Sequence, residues 1–266
     1  MNNLFQQSDQ NRKKCWITLD DLDIGEKEQL FKASETFLNY DGKNDEMPTL
    51  SPEMERLRSI TIKVTDPVVN IAAEPILLLM TTANGRVIYY GGTPSAVSKI
   101  EEDGLHIGSS FSIEHAGINA ISLCHHVKQT VVVQGAEHSL SEFSNWNCLC
   151  TPIMVDGDML GMLDLSFDHL TNIAFAVPLL LQMVNQITDL YSLEKTSEGL
   201  REEKFNAYSF TKREKEIAVA WLENKTVPEI ASELTISEQT VRTFIKKIYA
   251  KTNVGSKGDL FQLLHL

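Results

Sequence analysis

The sequence predicts an α+β fold in two parts, in which an antiparallel sheet with covering helices is joined by a long helix to a small all-α domain of four helices. Three observations predict it. Apolar, β-favouring runs flank tight-turn signals in the middle of the chain, the stretch after them is nearly free of Gly and Pro, and helix-capping residues recur towards the end. A chain of 266 residues also has room for a large domain and a small one.

The composition predicts a protein with hydrophobic cores and without a membrane-spanning segment. Apolar residues make up 42% of the chain and charged residues 23%, with no unbroken apolar run of membrane length. No export signal opens the sequence, which predicts a cytoplasmic location. In that compartment we expect the cysteines to be reduced thiols. The chain contains Cys15, Cys124, Cys148 and Cys150.

The net charge of −12 is unevenly divided along the chain. The last part, residues 206–266, is called the tail below, and in it 9 Lys and Arg stand against 7 Asp and Glu (9 − 7 = +2). The rest of the chain therefore carries −14. Because contacts to phosphate need cations, only the tail suits an interaction with nucleic acid.

The first segment, residues 1–52, is expected to be an acidic extension with one helix. It is rich in Asp, Glu, Asn and Gln, a composition that is poor at building a core. Its amphipathic stretch has helical spacing and comprises Glu28, Leu30, Phe31, Ser34, Phe37 and Leu38.

Two β-hairpins and a further strand are predicted within residues 53–171. In each hairpin, apolar runs flank a turn in which Gly stands beside Asn or Asp, residues that tolerate the positive φ of a tight turn. A helix is expected between the first hairpin and the further strand. The hairpin runs are 76–82 with 87–91 and 148–155 with 159–167, the strand is 130–133, and the helix is 117–127.

Residues 172–205 are predicted to form a linking helix that also pairs two chains. Apolar residues recur there at alternating steps of three and four, the spacing of a coiled-coil seam. Glu194 and Ser197 take the next seam positions, so the seam is expected to be short. Its members are Leu180, Met183, Ile187 and Leu190.

The tail carries start and stop signals for successive helices. Thr211 and Glu214 have the spacing of a capping box, and Asn224 is a residue that accepts the left-handed conformation in which helices end. A second helix is predicted at 227–234. Ser237 caps a third helix, whose apolar face and polar face are both clear: Val241, Phe244, Ile245 and Ile248 form the first, and Gln239, Arg242, Thr243 and Lys246 the second.

These segments closely resemble the C-terminal helix-turn-helix domain of the LuxR family of transcription regulators, through FTKREKEI, PEIASELTISEQTVRTFIKKIYAKTNVGSK and GDLFQLL. The resemblance implies binding to double-stranded DNA, with the third helix in the major groove. It implies base contacts from Arg242, Thr243 and Lys246. Contacts to phosphates are implied for Thr240, Lys247, Lys225 and Ser237.

The middle of the chain resembles the GAF-type sensor domain of acetoin-catabolism activators, through GSSFSIEHAGINAI, VVVQGAEH and NCLCTPIMVDGDMLGMLDLSF. Such domains enclose a small cavity, so the resemblance implies a small-molecule effector. The apolar wall candidates are Phe111, Ile121, Phe143, Trp146, Cys148 and Cys150, and the polar candidates are Glu114, His115, Asn119 and His138. For any single one of them, a purely structural role is the competing interpretation.

The sequence gives less support to other chemistries. The chain lacks a phosphate-binding loop, a Gly-x-Ser-x-Gly elbow and a His-Glu-x-x-His motif, so no enzyme, cofactor or ATP-driven remodelling is expected. The cysteine and histidine spacings around residues 124–126 and 148–150 match no common zinc pattern. The acidic pair Asp20–Asp21 follows an apolar run, so a phosphorylated receiver domain is one alternative interpretation. A front domain that binds a protein partner or only dimerises is another.

The sequence therefore predicts a ligand-responsive transcription regulator that binds operator DNA as a homodimer. Without ATP hydrolysis, it is expected to recruit RNA polymerase or to block it.

Overall fold

The computed structural model describes residues 15–34, 49–168 and 173–264. The chain divides into two compact units, Met1–Tyr191 and Ser192–Leu266. The first is a mixed α and β unit and the second is helical, which confirms the predicted α+β class. Phe37 and Leu38 of the predicted first helix lie outside the described residues.

The first unit is built on a five-stranded antiparallel sheet. Its strands are β1 (Ile76–Thr82), β2 (Val87–Gly92), β3 (Val131–Gln134), β4 (Trp146–Val155) and β5 (Asp158–Asp168), in the order β2-β1-β5-β4-β3. Both predicted hairpins are present. Gly85 (φ 80°) and the pair Asp156 (φ 53°) and Gly157 (φ 91°) adopt the positive φ that the turns require.

Helices cover both faces of the sheet. One face packs against α2 (Pro52–Ile71) and α6 (Ala176–Ala207) through residues such as Leu78 and Leu165. The other face packs against α3 (Pro94–Glu102), the single turn α4 (Ile113–Ala116) and α5 (Ala120–Val127) through residues such as Leu77 and Leu79. Since side chains alternate along a strand, odd and even positions of β1 serve two separate cores.

The segment before α2 is part of the first unit. Ile17 pairs with the outer edge of β3, donating its N–H to the Thr130 carbonyl at 2.8 Å and accepting from the Val132 N–H at 2.9 Å. Helix α1 (Ile24–Ser34) follows and buries Leu30 in the core shared with α5. It begins earlier than predicted and packs against α4.

The receiver interpretation is wrong. A receiver needs a parallel sheet, and every strand pair of this sheet is antiparallel. The acidic pair that suggested it has a structural role, because Asp21 accepts hydrogen bonds from the Thr18 N–H and hydroxyl, each at 2.8 Å, and closes a short 3-10 turn.

Helix α6 confirms the predicted long helix but corrects its seam. Leu180, Met183 and Ile187 are buried inside the first unit, against the face of the sheet that α2 also covers, and Leu190 is half-buried there. The same spacing of three and four serves a helix that packs on a sheet, so these side chains are not free to pair with a second chain.

The second unit holds the end of α6 and four further helices, α7 (Lys212–Leu222), α8 (Val227–Glu233), α9 (Glu238–Thr252) and α10 (Lys257–Leu264). Its core contains Phe205, Ile217, Ile230, Val241 and Leu260. Within the described residues, no helix combines the length and the apolar composition that crossing a membrane requires.

Candidate nucleic-acid interface and buried cavity

Helix α9 presents a polar face on an apolar base. Val241, Ile245 and Ile248 are buried among α7 and α8. Arg242, Thr243, Lys246 and Lys247 are exposed on the opposite side, and Phe244 is half-buried. The helix is therefore held rigidly while its polar side chains reach solvent.

The predicted base-contacting residues form few interactions with other residues of the chain. The Arg242 guanidinium lies 3.4 Å from the Glu238 carboxylate one turn earlier, with 56% of the Arg242 side chain exposed. Such exposed ion pairs contribute little, so the guanidinium can leave this partner at small cost. The Thr243 hydroxyl donates to the Gln239 carbonyl at 2.8 Å. Among the described residues, Lys246 forms no ion pair.

The start of α9 is capped by Ser237, as the sequence predicts. Its hydroxyl accepts from the Thr240 N–H at 3.1 Å and lies 2.8 Å from the Thr240 hydroxyl. Before it, Thr235 adopts a left-handed φ of 54°, which is rare for a β-branched residue. This tight turn places the N-terminus of α9 directly after α8.

Two of the side chains predicted to contact phosphate already interact with other residues of the chain. The Lys225 ammonium lies 2.7 Å from the Glu233 carboxylate and 3.5 Å from that of Glu223. The hydrogen bond to Glu233 raises the pKa of Lys225. The Lys247 ammonium lies over the Phe244 ring, 5.4 Å from its centroid. A phosphate has to compete with two carboxylates at Lys225, whereas the aromatic face leaves Lys247 accessible.

A buried ion pair ties α9 to α7. The Lys251 ammonium lies 2.6 Å from the Glu214 carboxylate, whose side chain is 4% exposed, and also donates to the Ser209 carbonyl at 2.8 Å. The Glu214 carboxylate accepts the Thr211 N–H as well, at 2.7 Å, completing the predicted capping box. Burial opposes the charge of Glu214, but the Lys251 and Thr211 hydrogen bonds hold its pKa below the usual value.

A small cavity lies in the first unit between the sheet and the side of α3 and α5. Its volume is about 20 Å³, enough for roughly one water molecule. Seven of the predicted pocket residues line it: Phe111, Asn119, Ile121, His138, Phe143, Trp146 and Cys148. Further lining comes from Leu77, Leu79, Ile100, Ala120, Asp164 and Ser166.

Three predicted pocket residues do not line this cavity. Glu114 and His115 are exposed on α4, whose inward position is taken by Ala116. Glu114 faces a separate depression of about 290 Å³ at the surface, beside His125, and His115 bonds to a neighbouring hydroxyl. Cys150 is buried on the correct side of β4 but packs away from the cavity, in contact with the Cys124 thiol.

Asn119 lines the cavity in a structural role. Its side-chain oxygen accepts from the Ser122 N–H at 2.9 Å, and its amide donates to the carbonyls of Phe111 and Gly117 at 3.1 and 3.0 Å. All of its polar atoms are thus used to start α5 and to hold the loop before it.

Three other side chains of the lining carry a buried polar atom without a partner among the described residues. They are Nε2 of His138, Nε1 of Trp146 and Oδ2 of Asp164. Burial lowers the pKa of His138, which keeps its ring neutral. Burial also raises the pKa of Asp164 to about 7. The cavity therefore has apolar walls and three convergent polar residues.

Sequence reasoning missed Asp164 and its neighbour Ser166. The Ser166 hydroxyl lies 2.6 Å from Oδ1 of Asp164 and 3.0 Å from the Cys148 sulfur. On β5 these residues alternate with Leu163, Leu165 and Phe167, so the pattern reads as a strand with one solvated face. A single Asp inside an otherwise apolar hairpin was the available signal.

The buried thiols of Cys148 and Cys150 are suited to apolar packing rather than to reaction. Burial raises the pKa of both Cys148 and Cys150, which keeps them protonated near neutral pH. Within the described ranges, no three His, Cys, Asp or Glu side chains are grouped so that they could hold a metal ion.

Two family models match the chain. The model described as bacterial regulatory proteins of the luxR family matches residues 208–264, and the GAF domain model matches residues 66–194. Spore germination protein GerE of Bacillus subtilis is 39% identical over 69 residues, which are 25% of this chain and 93% of GerE.

Two further similarities are partial. The acetoin dehydrogenase operon transcriptional activator AcoR of Bacillus subtilis is 28% identical over 109 residues, 38% of this chain and 18% of AcoR, so the chain spans less than a fifth of that relative. The E. coli DhaR(N)–DhaL crystal structure superposes with a TM-score of 0.59 at 15% identity, over 68% of this chain and 65% of that one. That likeness shows a shared fold.

Proposed function

Since this chain belongs to the luxR family of bacterial regulatory proteins and carries a GAF domain ahead of its DNA-binding unit, we propose that it regulates transcription by binding operator DNA as a dimer in response to a small molecule. The observation that carries the DNA-binding part is helix α9, whose polar residues are exposed while its apolar residues are buried in the core of the second unit. This is the arrangement that a recognition helix needs in the major groove.

We assign base contacts to Arg242, Thr243 and Lys246. Arg and Lys can each donate two hydrogen bonds to O6 and N7 of guanine, and a threonine methyl can contact the methyl group of thymine. The weak pairing of Arg242 supports this assignment, because the guanidinium gives up little when it turns towards a base.

Phosphate contacts are assigned to Ser237 and Thr240 at the start of α9 and to Lys247 on its exposed side. A helix N-terminus attracts an anion through its free N–H groups and its dipole. Lys225 is the weakest member of the set, because a phosphate must displace the Glu233 carboxylate from it. These contacts fix the position of the helix on DNA without reading sequence.

Dimerisation is proposed through the exposed part of α6. One DNA-binding unit buries little surface, so dimers read two half-sites about one helical turn apart. Leu180, Met183 and Ile187 are buried in the first unit, and the exposed large aliphatic side chains on this helix are Leu193, 63% exposed, and Leu200, 40% exposed. They lie seven residues apart, two helical turns, and so share one side of α6.

Replacing Leu193 and Leu200 together by Glu tests the dimer. Two charges on each paired helix should shift the chain to a monomer in multi-angle light scattering while its circular dichroism is unchanged. Exposed Lys195, changed to Glu, serves as the control on the same helix turn. A double variant that remains dimeric would place the dimer contact elsewhere.

The sensing part is proposed from the cavity of the first unit. A ligand acts only if it binds one conformation or dimer geometry more tightly than another. Ligand binding to the native state should raise the melting temperature. The change in DNA binding would then follow from that difference in affinity, with RNA polymerase recruited or blocked at the operator.

The DNA-binding assignment is tested by selecting duplexes from a random pool with the wild-type protein and measuring affinities for the selected sequence. Arg242→Ala should cost about 1 to 3 kcal/mol and relax the preference at one base position. Lys247→Ala should weaken all sequences alike and reduce the salt slope by about one. The control is Arg58→Ala, which removes the same charge from an exposed ion pair in the first unit. Unchanged sequence preference in Arg242→Ala would contradict the assignment.

A second candidate for the first unit is the binding of a protein partner. It is supported by the DhaR(N)–DhaL structure, in which a fold of this type is present in a complex with a protein. The two candidates differ in a thermal-shift screen against small molecules: a sensor is stabilised by one class of compounds, whereas a protein-binding domain is stabilised by none.

A further inference from the structure

The surface depression beside Glu114 is much larger than the buried cavity and is called the α1 depression below. It lies between α1, α4 and α5, and its volume of about 290 Å³ is close to the lower end of the range for small-molecule sites. Helix α1 supplies one wall through Gln29, Leu30 and Ala33. The GAF match begins only at residue 66, so this wall comes from a segment ahead of that domain.

The floor of the α1 depression is apolar. Leu30, Phe111 and Ile121 line it, and at most 6% of each residue is exposed. Phe111 and Ile121 also line the buried cavity, so they form the wall between the two spaces. A floor of this kind binds the hydrocarbon part of a ligand, because water leaves both surfaces on contact.

The rim of the depression carries one negative charge. The Glu114 side chain is exposed there, and its hydrogen bond with Ser112 lowers the pKa of the carboxyl, which is therefore ionised at neutral pH. Among the described residues that line the depression there is no Lys or Arg. The lining thus holds a carboxylate without a permanent cation of its own.

The end of α5 adds a hydrogen-bond acceptor to the rim. Nδ1 of His125 lies 2.7 Å from the Ala83 carbonyl, which can only accept, so Nδ1 carries the proton. In the neutral ring Nε2 is then an acceptor. His125 and His126 both line the depression and belong to the last turn of α5, where the helix dipole favours a positive charge.

The charges of the depression select the class of ligand. An anion would meet the Glu114 carboxylate with no Lys or Arg in the described lining to compensate. A metal ion is disfavoured because His125 and His126 are adjacent on a helix and diverge by about 100°. Within the described ranges, no three His, Cys, Asp or Glu side chains are grouped to hold one. The charge of −14 outside the tail attracts cations at longer range.

We propose that the α1 depression binds a small organic cation, a primary alkylammonium with a short hydrocarbon body. The ammonium donates hydrogen bonds to the Glu114 carboxylate and to Nε2 of His125, and the hydrocarbon body lies on the apolar floor. Because α1 forms one wall, the bound ligand fastens α1 to α4 and α5. This is a second ligand site of the first unit, and it is independent of what the buried cavity binds.

The test compares four matched probes on the full-length protein. Isopentylamine carries both the charge and the hydrocarbon body, isopentyl alcohol lacks the charge, isovalerate reverses it, and methylamine lacks the body. Affinities are measured by titration calorimetry at pH 8, at which a primary alkylamine is still protonated. We expect isopentylamine to bind about tenfold more tightly than the alcohol, the effect of one charge-assisted hydrogen bond, and isovalerate and methylamine not to bind.

Two substitutions and a labelling experiment locate the site. Glu114→Gln keeps the shape and removes the charge, so it should weaken isopentylamine about tenfold and leave the alcohol unchanged. Ala33→Leu enlarges a side chain of the α1 wall and should weaken both probes. Glu102→Gln, at an exposed carboxylate of α3 outside the depression, is the control. Isopentylamine should also slow hydrogen exchange of the α1 amides, while those of α9 are unaffected.

Three results would overturn the proposal. The first is equal binding of the amine and the alcohol, or no binding of either. The second is an unchanged affinity for the amine in Glu114→Gln, and the third is binding of the amine that leaves hydrogen exchange in α1 as it was. If Ala33→Leu does not fold, Glu114→Gln and the exchange of the wild type still decide.

Discussion

Replacing Asp164 with Asn should abolish a pH dependence of stability that the buried carboxyl imposes on the first unit. Burial raises the pKa of Asp164 from 3.8 to about 7, so the folded chain keeps a proton that the unfolded chain releases. The stability associated with this group is fully present below the unfolded pKa and is lost as the pH rises through the folded pKa. The free energy of unfolding of the wild type should therefore fall from acidic to neutral pH, relative to that of the variant.

The size of the effect follows from the two pKa values. A difference of one pKa unit corresponds to about 1.4 kcal/mol, so the shift from 3.8 to about 7 represents roughly 4 kcal/mol in total. Part of this is already lost at pH 5, where an unfolded carboxyl is largely ionised. Between pH 5 and pH 8 the wild type should lose about 2 to 3 kcal/mol that the Asp164→Asn variant retains.

The measurement is urea unfolding of the full-length chain at four pH values from 5 to 8, followed by tryptophan fluorescence. A Trp221→Phe background is used, because the remaining tryptophans, Trp16 and Trp146, both lie in the first unit. The exposed carboxyl of Asp103, changed to Asn, is the matched control and should leave the pH profile of the wild type unchanged. Parallel profiles for wild type and Asp164→Asn would refute the reasoning about burial.

Three further substitutions test the packing. Gly161→Ala should destabilise the sheet, because a Cβ there would lie 2.4 Å from the carbonyl oxygen of Thr81 on the adjacent strand; urea titration should show a loss above 1 kcal/mol. Gly199→Ala, in α6 with open space around it, should instead stabilise the chain by about 1 kcal/mol, and a loss there would contradict the helical geometry. Lys251→Met should destabilise the second unit by about 2 kcal/mol, since it leaves the Glu214 carboxylate buried without its cation; an unchanged melting temperature would show that the capping hydrogen bonds suffice.

The second unit could be predicted in detail because its signals are local. Thr211 and Ser237 cap helices, and Asn224 adopts a left-handed φ of 64°, as the sequence indicates. Each of these roles depends on a few neighbouring residues. The exposed face of α9 follows from helical spacing alone.

The polar end of the cavity could not be predicted, because it depends on what covers the sheet. Asp164 and Ser166 alternate with apolar residues along β5, which is the pattern of a strand with one face in water. Helices α3 and α5, from other parts of the chain, bury that face. The aromatic lining residues Phe111, Phe143 and Trp146 could be found, since a resemblance to a known domain carried them.

The prediction of a dimer seam was wrong for a related reason. Leu180, Met183 and Ile187 have a spacing that describes one side of a helix and not the surface that it contacts. A sheet and a second helix satisfy that spacing equally. Only the positions of β1 and β5 beneath α6 decide between them.

The β-bridge between Ile17 and the outer edge of β3 has a practical consequence for anyone who shortens this protein. A fragment that starts at residue 66, where the GAF match begins, would lose the backbone hydrogen bonds that Ile17 makes with Thr130 and Val132, and β3 would become a bare border of the sheet. Unpaired borders of this kind recruit strands from other molecules. Fragments that retain the chain from residue 15 onward should stay dispersed where the shorter ones precipitate.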